Sequence, residues 1–202
     1  MKPDFPSIAA FTTAAELLKC DRAAIQAVGR VECGPEGAFF DSGEPAILFE
    51  AHRFHALTKG KFAGARAAGI AGEPGVLSRS KWMPGTYGPN SIQHARLAAA
   101  AALDRDAALM ATSWGLFQVL GEHWKRCGYG SVQSFVNAAY QSADDHLQMF
   151  VHFILADAKL VTALRAKAWA TFAAIYNGPG YKANKYDKKL AAAYSVFSAG
   201  AT

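Results

Sequence analysis

The sequence predicts a mostly helical α+β domain with one small β-hairpin. Apolar residues recur at helical spacing over residues 143–155 and 185–198, as expected for helices that bury one face. Ser131 and Ser142 stand directly before helical patterns, where an N-cap is expected. Two aromatic-rich apolar runs flank Ser42-Gly43-Glu44, and this arrangement predicts the hairpin.

The N-terminal part of the chain predicts two short helices. Residues 1–12 form a proline-containing leader. The capping-box pattern Thr13-Ala-Ala-Glu16 is expected to open a helix that ends near Lys19. Asp21 can cap a second helix over residues 22–33.

The remaining elements follow in chain order. The hairpin pairs residues 37–41 with residues 45–50. The other predicted helices are a short turn from His52 to Leu57, an alanine-rich helix from Asn90 or Ser91 to about Ala111, helices that start at Ser131 and Ser142, a helix marked by Trp169, Phe172 and Tyr176, and a last helix over residues 185–198. There is neither an internal repeat nor a clear interdomain linker. We therefore expect residues 1–202 to form a single domain, with residues 1–20 as an N-terminal leader and short helix.

Composition restricts the classes of function. The net charge of +5 and the sequence pI of about 9.1 favour polyanionic partners such as nucleic acid or an anionic cell envelope, although the basic residues form no dense block. Three cysteines without a Cys-x-x-Cys pair argue against a disulfide framework or a structural zinc site. The N-terminus lacks the apolar stretch of a secretory signal, so we expect a protein made and retained in the cytoplasm unless another system exports it.

The predicted second helix ends on a single carboxylate, Glu32. Ile25, Val28 and Glu32 share one helix face, and Gly34 and Pro35 are expected to end the helix just beyond it. Burial on an apolar face and the negative end of the helix dipole both raise the pKa of a carboxyl group. Such a group can stay protonated near neutral pH and act as a general acid. The alternative is a solvent-exposed glutamate at a helix end.

Three short motifs occur in a fixed order along the chain. They are Val31-Glu32-Cys33, Gly115-Leu-Phe-Gln118 and Ile175-Tyr176-Asn177-Gly-Pro-Gly180. In this order they resemble the lysozyme-like superfamily, in which goose-type lysozymes and soluble lytic transglycosylases show Glu-Ser, Gly-Leu-Met-Gln and Ala-Tyr-Asn. The segments 43–55, 111–119 and 176–186 are similar to the N-acetylmuramidase domain of phage endolysins, over about residues 22 to 195. Cys33 departs from the superfamily pattern, which usually has serine.

The resemblance implies a lysozyme-like helical fold and a set of site residues. Glu32 would be the general acid, and the loop around Gln118 would help to hold an N-acetyl group. The Tyr176 hydroxyl would help to orient the glutamate, while Asn177 lines the cleft. An ordinary core tyrosine or a polar loop residue remains the alternative for these positions.

A second group of site residues is inferred from the chain itself. The glycine- and proline-rich stretch 59–90 is too long for a simple connector, and it can wall a cleft in which Trp82 and Tyr87 form platforms for sugar rings. An ordered loop whose aromatics fill a side pocket is the alternative.

An inverting glycosidase needs a second carboxylate about 6.5–9.5 Å from the acid, and a retaining one needs a closer nucleophile. Asp41, Glu44 and Glu50 are the candidates, and Glu50 is favoured because it follows an apolar run that resembles the family. A structural role for Glu50 is an open alternative. His52 and His55 are not expected to bind metal, because no His-Glu-x-x-His motif is present. No cofactor is expected.

The sequence therefore predicts a peptidoglycan hydrolase of the lysozyme type, active on the β-1,4 bond between N-acetylmuramic acid and N-acetylglucosamine. Alternatives are a lytic transglycosylase that gives 1,6-anhydro products and a non-catalytic glycan-binding module. We expect a monomer that does not bind nucleic acid and reaches the cell wall through a pore, a delivery machine or host lysis. The basic segment 182–189 can contact an anionic envelope, unless the last helix simply docks on the core with its basic face in solvent.

Overall fold

The computed structural model describes residues 4–32 and 37–200. Helices dominate it and surround a small three-stranded antiparallel sheet, which confirms the predicted mostly helical α+β class. The helices are α1 (Ile8–Leu18), α2 (Arg22–Glu32), α3 (Ala51–Leu57), α4 (Gln93–Ala101), α5 (Arg105–Met110), α6 (Val132–Ala139), α7 (Ala143–Leu155), α8 (Ala158–Arg165), α9 (Trp169–Tyr176) and α10 (Tyr186–Ala199). The strands are β1 (Ile47–Phe49), β2 (Thr112–Trp114) and β3 (Val119–Leu120).

The first helix begins earlier than the sequence predicts. Its N-cap is Ser7, whose hydroxyl accepts a hydrogen bond from the backbone N–H of Ala10, and Thr13 lies inside the helix. Ser7 is itself held by Asp144, which accepts from the Ser7 backbone N–H at 2.7 Å and from its hydroxyl at 2.9 Å. This contact across the fold selects Ser7 over the local capping-box pattern at Thr13-Ala-Ala-Glu16.

The alanine-rich segment forms two helices, where the sequence predicts one. Asp104 interrupts it, because its side chain accepts a hydrogen bond from the backbone N–H of Ala107 and caps α5. The caps predicted at Ser131 and Ser142 are both present, at the starts of α6 and α7. The predicted helix end at Gly34 and Pro35, and Cys33 beside it, lie outside the described residues.

The sheet differs from the predicted hairpin. The turn at Ser42-Gly43-Glu44 forms, with a single bridge between Phe39 and Pro45, but residues 37–41 are not a strand of the sheet. Instead β1 pairs with β2, and β2 also pairs with β3. The fully buried β2 needs partners for its backbone groups on both edges, and β1 supplies one of them.

The helices place the ends of α2 and α9 beside this sheet. The last helix, α10, lies against α2 and α9, and α1 packs on α2 and α7. Phe117 in the β2–β3 turn stacks on Phe150 of α7, with ring centroids 4.5 Å apart. Within the described part of the chain, no single helix is long and apolar enough to cross a membrane. Only α7 and α8 together meet that test, and they are bent by 109° relative to each other.

Candidate active site

Glu32 is the last residue of α2, is part-buried and lines a cleft. Ile25 and Val28, on the same face of the helix, are both fully buried, as their spacing predicts. Burial raises the pKa of Glu32 from 4.5 to about 7. The hydrogen bond from Asn177 and the positive charge of Lys189 lower this pKa in part. Glu32 can therefore hold a proton near neutral pH.

Among the described residues, Asn177 is the side chain that hydrogen-bonds to Glu32, whereas the resemblance implies an orienting role for the Tyr176 hydroxyl. Asn177 Nδ2 donates to Glu32 Oε1 at 2.9 Å. The Tyr176 hydroxyl instead donates to the backbone carbonyl of Phe117 at 2.8 Å, and its ring stacks on Phe172 at 5.4 Å. Successive residues of a helix point in different directions, so α9 turns Tyr176 towards the aromatic core and Asn177, at its C-cap, towards Glu32.

The Gly115-Leu-Phe-Gln118 motif is the tight turn between β2 and β3. Gly115 and Gln118 both have positive φ, at 67° and 48°. The Gln118 amide donates to the carbonyl of Gly115 at 2.8 Å, so part of its hydrogen-bonding capacity closes the turn. Beneath the turn, the buried ring of His146 accepts a hydrogen bond from the Leu116 N–H through Nδ1. The turn is thus anchored to α7 while Gln118 lines the cleft.

Glu50 is the second carboxylate in the cleft. It follows β1 and occupies the N-cap position of α3, but its side chain makes no capping hydrogen bond. Glu50 Oε1 instead accepts from the Ser113 hydroxyl at 3.0 Å, and Oε2 lies 3.6 Å from His52 Nε2. Burial raises the pKa of Glu50, while the Ser113 hydrogen bond and the positive charge of Arg53 lower it in part. The pKa of Glu50 is therefore raised by less than burial alone would raise it.

The long glycine-rich segment brings two aromatic side chains to the cleft. Trp82 is 59% exposed, and it lines the cleft together with Tyr87. The segment is tied to the sheet by Arg96, which is fully buried and donates to the carbonyls of Phe49 and Tyr87 at 3.1 Å. This arrangement favours the predicted cleft wall over an aromatic plug in a side pocket.

The structure brings all seven predicted site residues to one cleft of about 590 Å³. They share it with several residues that the sequence did not single out. Among the described residues, the lining consists of Glu32, Leu48, Glu50, Trp82, Tyr87, Ser113, Phe117, Gln118, Val119, Leu120, His123, Phe153, Tyr176, Asn177, Asn184 and Tyr186. The sequence did not single out Ser113, because its place opposite Leu48, two residues before Glu50 and on the same face of the strand, depends on the pairing of β1 with β2.

The other candidate residues lie away from this lining. Asp41 is exposed, and Glu44 accepts from the Ser42 hydroxyl and lies 3.6 Å from a histidine ring nitrogen. His55 contacts the Ser78 hydroxyl at 3.0 Å, away from His52. Among the described residues, no group of three His, Cys, Asp or Glu side chains could hold a metal ion.

The helical fold, the small sheet and a glutamate at the end of a helix beside a cleft define a protein of the lysozyme-like class. Comparison with known families sharpens this assignment. The N-acetylmuramidase family model matches residues 21–198, and the chain belongs to this family. The crystal structure of the Burkholderia AP3 phage endolysin is similar, with a TM-score of 0.84 and 41% sequence identity over 99% of this chain and 73% of that chain. No curated protein matches the sequence.

Proposed function

We propose that this protein is an endolysin-type glycoside hydrolase that cleaves the β-1,4 bond between N-acetylmuramic acid and N-acetylglucosamine in bacterial peptidoglycan. The observation that carries the proposal is the part-buried Glu32 in the lining of the cleft, with a pKa of about 7. Membership in the N-acetylmuramidase family and the similarity to a phage endolysin support peptidoglycan as the substrate. The cell wall is then the site of action.

In the proposed reaction, protonated Glu32 donates its proton to the glycosidic oxygen as the bond to the leaving sugar breaks. Asn177 holds one carboxyl oxygen through its amide, which leaves the other oxygen for the substrate. After the transfer Glu32 is ionised, and the same amide and the charge of Lys189 stabilise the anion. The hydrogen bond from Asn177 and the charge of Lys189 thus favour the ionised form of Glu32, which forms when the proton is transferred.

Glu50 is the proposed base that activates the attacking water. It lines the same cleft, and although burial raises its pKa, the hydrogen bond from Ser113 and the nearby charge of Arg53 lower this pKa in part and so favour the ionised form that a base needs. In Glu50→Gln, hydrolysis should fall while binding of the glycan is retained. Full activity of Glu50→Gln would contradict the role of Glu50 as the base and would indicate a structural role.

The Glu32→Gln substitution tests the acid directly, because it keeps the shape of the side chain and removes the proton. We expect hydrolysis of purified peptidoglycan to fall by about 10²- to 10⁴-fold, the typical contribution of a general acid. Glu16→Gln, at an exposed position of α1, is the matched control and should keep full activity. Wild-type rates in Glu32→Gln would contradict the role of Glu32 as the acid, whereas a folded wild type that binds peptidoglycan without cleaving it would favour a glycan-binding module.

A lytic transglycosylase with the same acid is the second candidate, favoured by the resemblance of the three motifs to that class. In this reaction a hydroxyl of the sugar attacks in place of water. Mass spectrometry of digested peptidoglycan separates the two reactions. Products about 18 mass units lighter than the hydrated muropeptides, the mass of one water, would identify the anhydro sugar and overturn the hydrolase proposal.

The basic C-terminal segment and the oligomeric state also belong to the proposal. Because α10 packs against α2 and α9, we expect deletion of residues 185–202 to unfold the protein. A folded deletion variant with weakened binding to anionic envelopes would instead support an envelope-binding helix. We propose that the protein acts as a monomer, which sedimentation analysis would test.

A further inference from the structure

The segment that connects α9 to α10 forms one wall of the cleft. Asn177 at its start and Asn184 and Tyr186 at its end all line the cavity together with Glu32. Four exposed lysines lie in and directly after this segment, and we call them the lysine edge: Lys182, Lys185, Lys188 and Lys189.

One lysine of the lysine edge, Lys189, interacts electrostatically with Glu32. The positive charge of Lys189 lowers the pKa of Glu32, which places the two groups within interaction range. Lys189 Nζ lies 5.5 Å from the centroid of the Tyr186 ring, and Tyr186 lines the cleft. An anion that occupies this side of the cleft therefore meets positive charge.

These lysines have no carboxylate partner within the part of the chain that the structure describes. Other basic residues are paired there, as in Arg53 with Glu122 and Lys167 with Asp21 at 2.7 Å. The ion pairs found among described residues include none of the four lysines. Asp187 is the one acidic residue in 181–190, so this segment supplies three of the five net positive charges of the chain. The charge of the lysine edge is available to a ligand.

The chemistry of peptidoglycan supplies a matching anion. Each N-acetylmuramic acid carries a short peptide on its lactyl group, and this peptide bears free carboxylates. When the glycosidic bond lies at Glu32, the neighbouring muramic acid must project its peptide out of the cleft. We propose that the lysine edge binds the carboxylates of this stem peptide, so that the enzyme prefers glycan strands that carry peptides over bare strands.

This inference rests on the proposed function and concerns the substrate class of the same cleft. It assigns a specific ligand to the basic segment, in place of a general attraction to the envelope. Opposite charges that meet at a binding surface are expected to increase the specificity and the rate of association, and both effects weaken as the salt concentration rises.

The test compares two substrates prepared from one batch of peptidoglycan: strands that keep their peptides and strands from which an amidase has removed them. The edge variant is Lys182→Gln/Lys185→Gln/Lys188→Gln. Lys189 is left in place because its substitution also alters Glu32. The matched control, Lys59→Gln/Lys61→Gln/Lys159→Gln, removes the same charge at exposed positions away from the cleft.

We expect the wild-type protein and the control to show a kcat/KM about tenfold higher on peptide-bearing strands, the order of magnitude for a few exposed charge pairs. In the edge variant, which keeps Lys189, this ratio should fall from about ten towards one, mainly through KM, and Lys→Arg at the same three positions should restore it. In the wild type the ratio should also fall as salt is raised. A Tm of thermal unfolding equal to that of the wild type establishes that the edge variant is folded.

Three outcomes overturn the inference while leaving the proposed function intact. The first is equal activity of the wild type on both substrates. The second is an equal loss in the edge and control variants, which would reflect general charge. The third is a defect of the edge variant on anionic lipid vesicles or whole envelopes without any change on purified peptidoglycan, which would assign the lysines to a membrane surface. If the wild type cleaves neither substrate, the proposed function fails, and the inference fails with it.

Discussion

The burial of Glu32 predicts that the residue needed for activity destabilises the folded protein at neutral and alkaline pH. Glu32→Gln replaces an ionisable group by a neutral one of the same shape. Its Oε1 can still accept the hydrogen bond that Asn177 donates to Glu32. The variant should therefore be inactive but more stable than the wild type.

The magnitude follows from the pKa of Glu32, which burial raises from 4.5 to about 7 in the folded protein. Below pH 4.5 the carboxyl group is protonated in both the folded and the unfolded state, and the substitution removes no ionisation cost. As the pH rises from 4.5 to about 7, the folded state binds more protons than the unfolded state, so the wild type loses stability. Above that range the loss is complete and amounts to about 3 kcal/mol, at about 1.4 kcal/mol per pH unit.

The assay is thermal and urea unfolding of the wild type, Glu32→Gln and the exposed control Glu16→Gln between pH 4 and pH 8.5. We expect Glu32→Gln to match the wild type at pH 4 and to exceed it by about 3 kcal/mol at pH 8.5, which corresponds to a Tm increase of about 6–12 °C for a domain of this size. Glu16→Gln should follow the wild type throughout. A difference between Glu32→Gln and the wild type that is independent of pH, or a less stable Glu32→Gln, would refute the argument that burial raises the pKa of Glu32.

Two further predictions concern the surroundings of Glu32. The activity of the wild type should fall as pH rises through about 7, where Glu32 loses its proton, and Lys189→Gln should move this fall to higher pH because it removes a charge that lowers the pKa of Glu32. The pH profile of kcat/KM measures the shift, and a shift to lower pH would contradict the assignment. Gly115→Ala should destabilise the protein by about 3 kcal/mol in urea unfolding, because φ is 67° and the new Cβ would lie 2.6 Å from the His146 ring. Gly64→Ala, at a similar φ of 78° with no atom within 4 Å, is the control for backbone strain alone and should cost clearly less.

Features that depend on neighbours in the chain were predictable from the sequence. The spacing of Ile25, Val28 and Glu32 predicted that the glutamate would share a buried helix face, and the structure confirms the burial of that face. The caps at Ser131 and Ser142 were also predictable, because each serine bonds to a backbone N–H only three residues ahead. The position of Glu50 at the end of a strand follows in the same way from an apolar run.

Features that depend on distant partners were not predictable in this way. The start of α1 is set by Asp144, 137 residues away from Ser7, and the local pattern at residues 13–16 could not reveal it. The partner of β1 is β2, more than 60 residues further along, whereas the sequence favoured the nearer segment 37–41. Nearby residues are the simplest partners to propose from a sequence, but burial of a whole strand decides the pairing.

For this protein, the sequence by itself determined the helical class, the glutamate on a buried helix face and seven of the residues that line the cleft. Helical spacing depends only on residues a few positions apart, and the order of the motifs can be read directly from the sequence. Only the tertiary structure decided which side chain donates a hydrogen bond to which carboxylate. It brings Asn177 to Glu32 across 145 residues and Ser113 to Glu50 across 63, because the packing of α9 and the register of β1 on β2 fix where these side chains point.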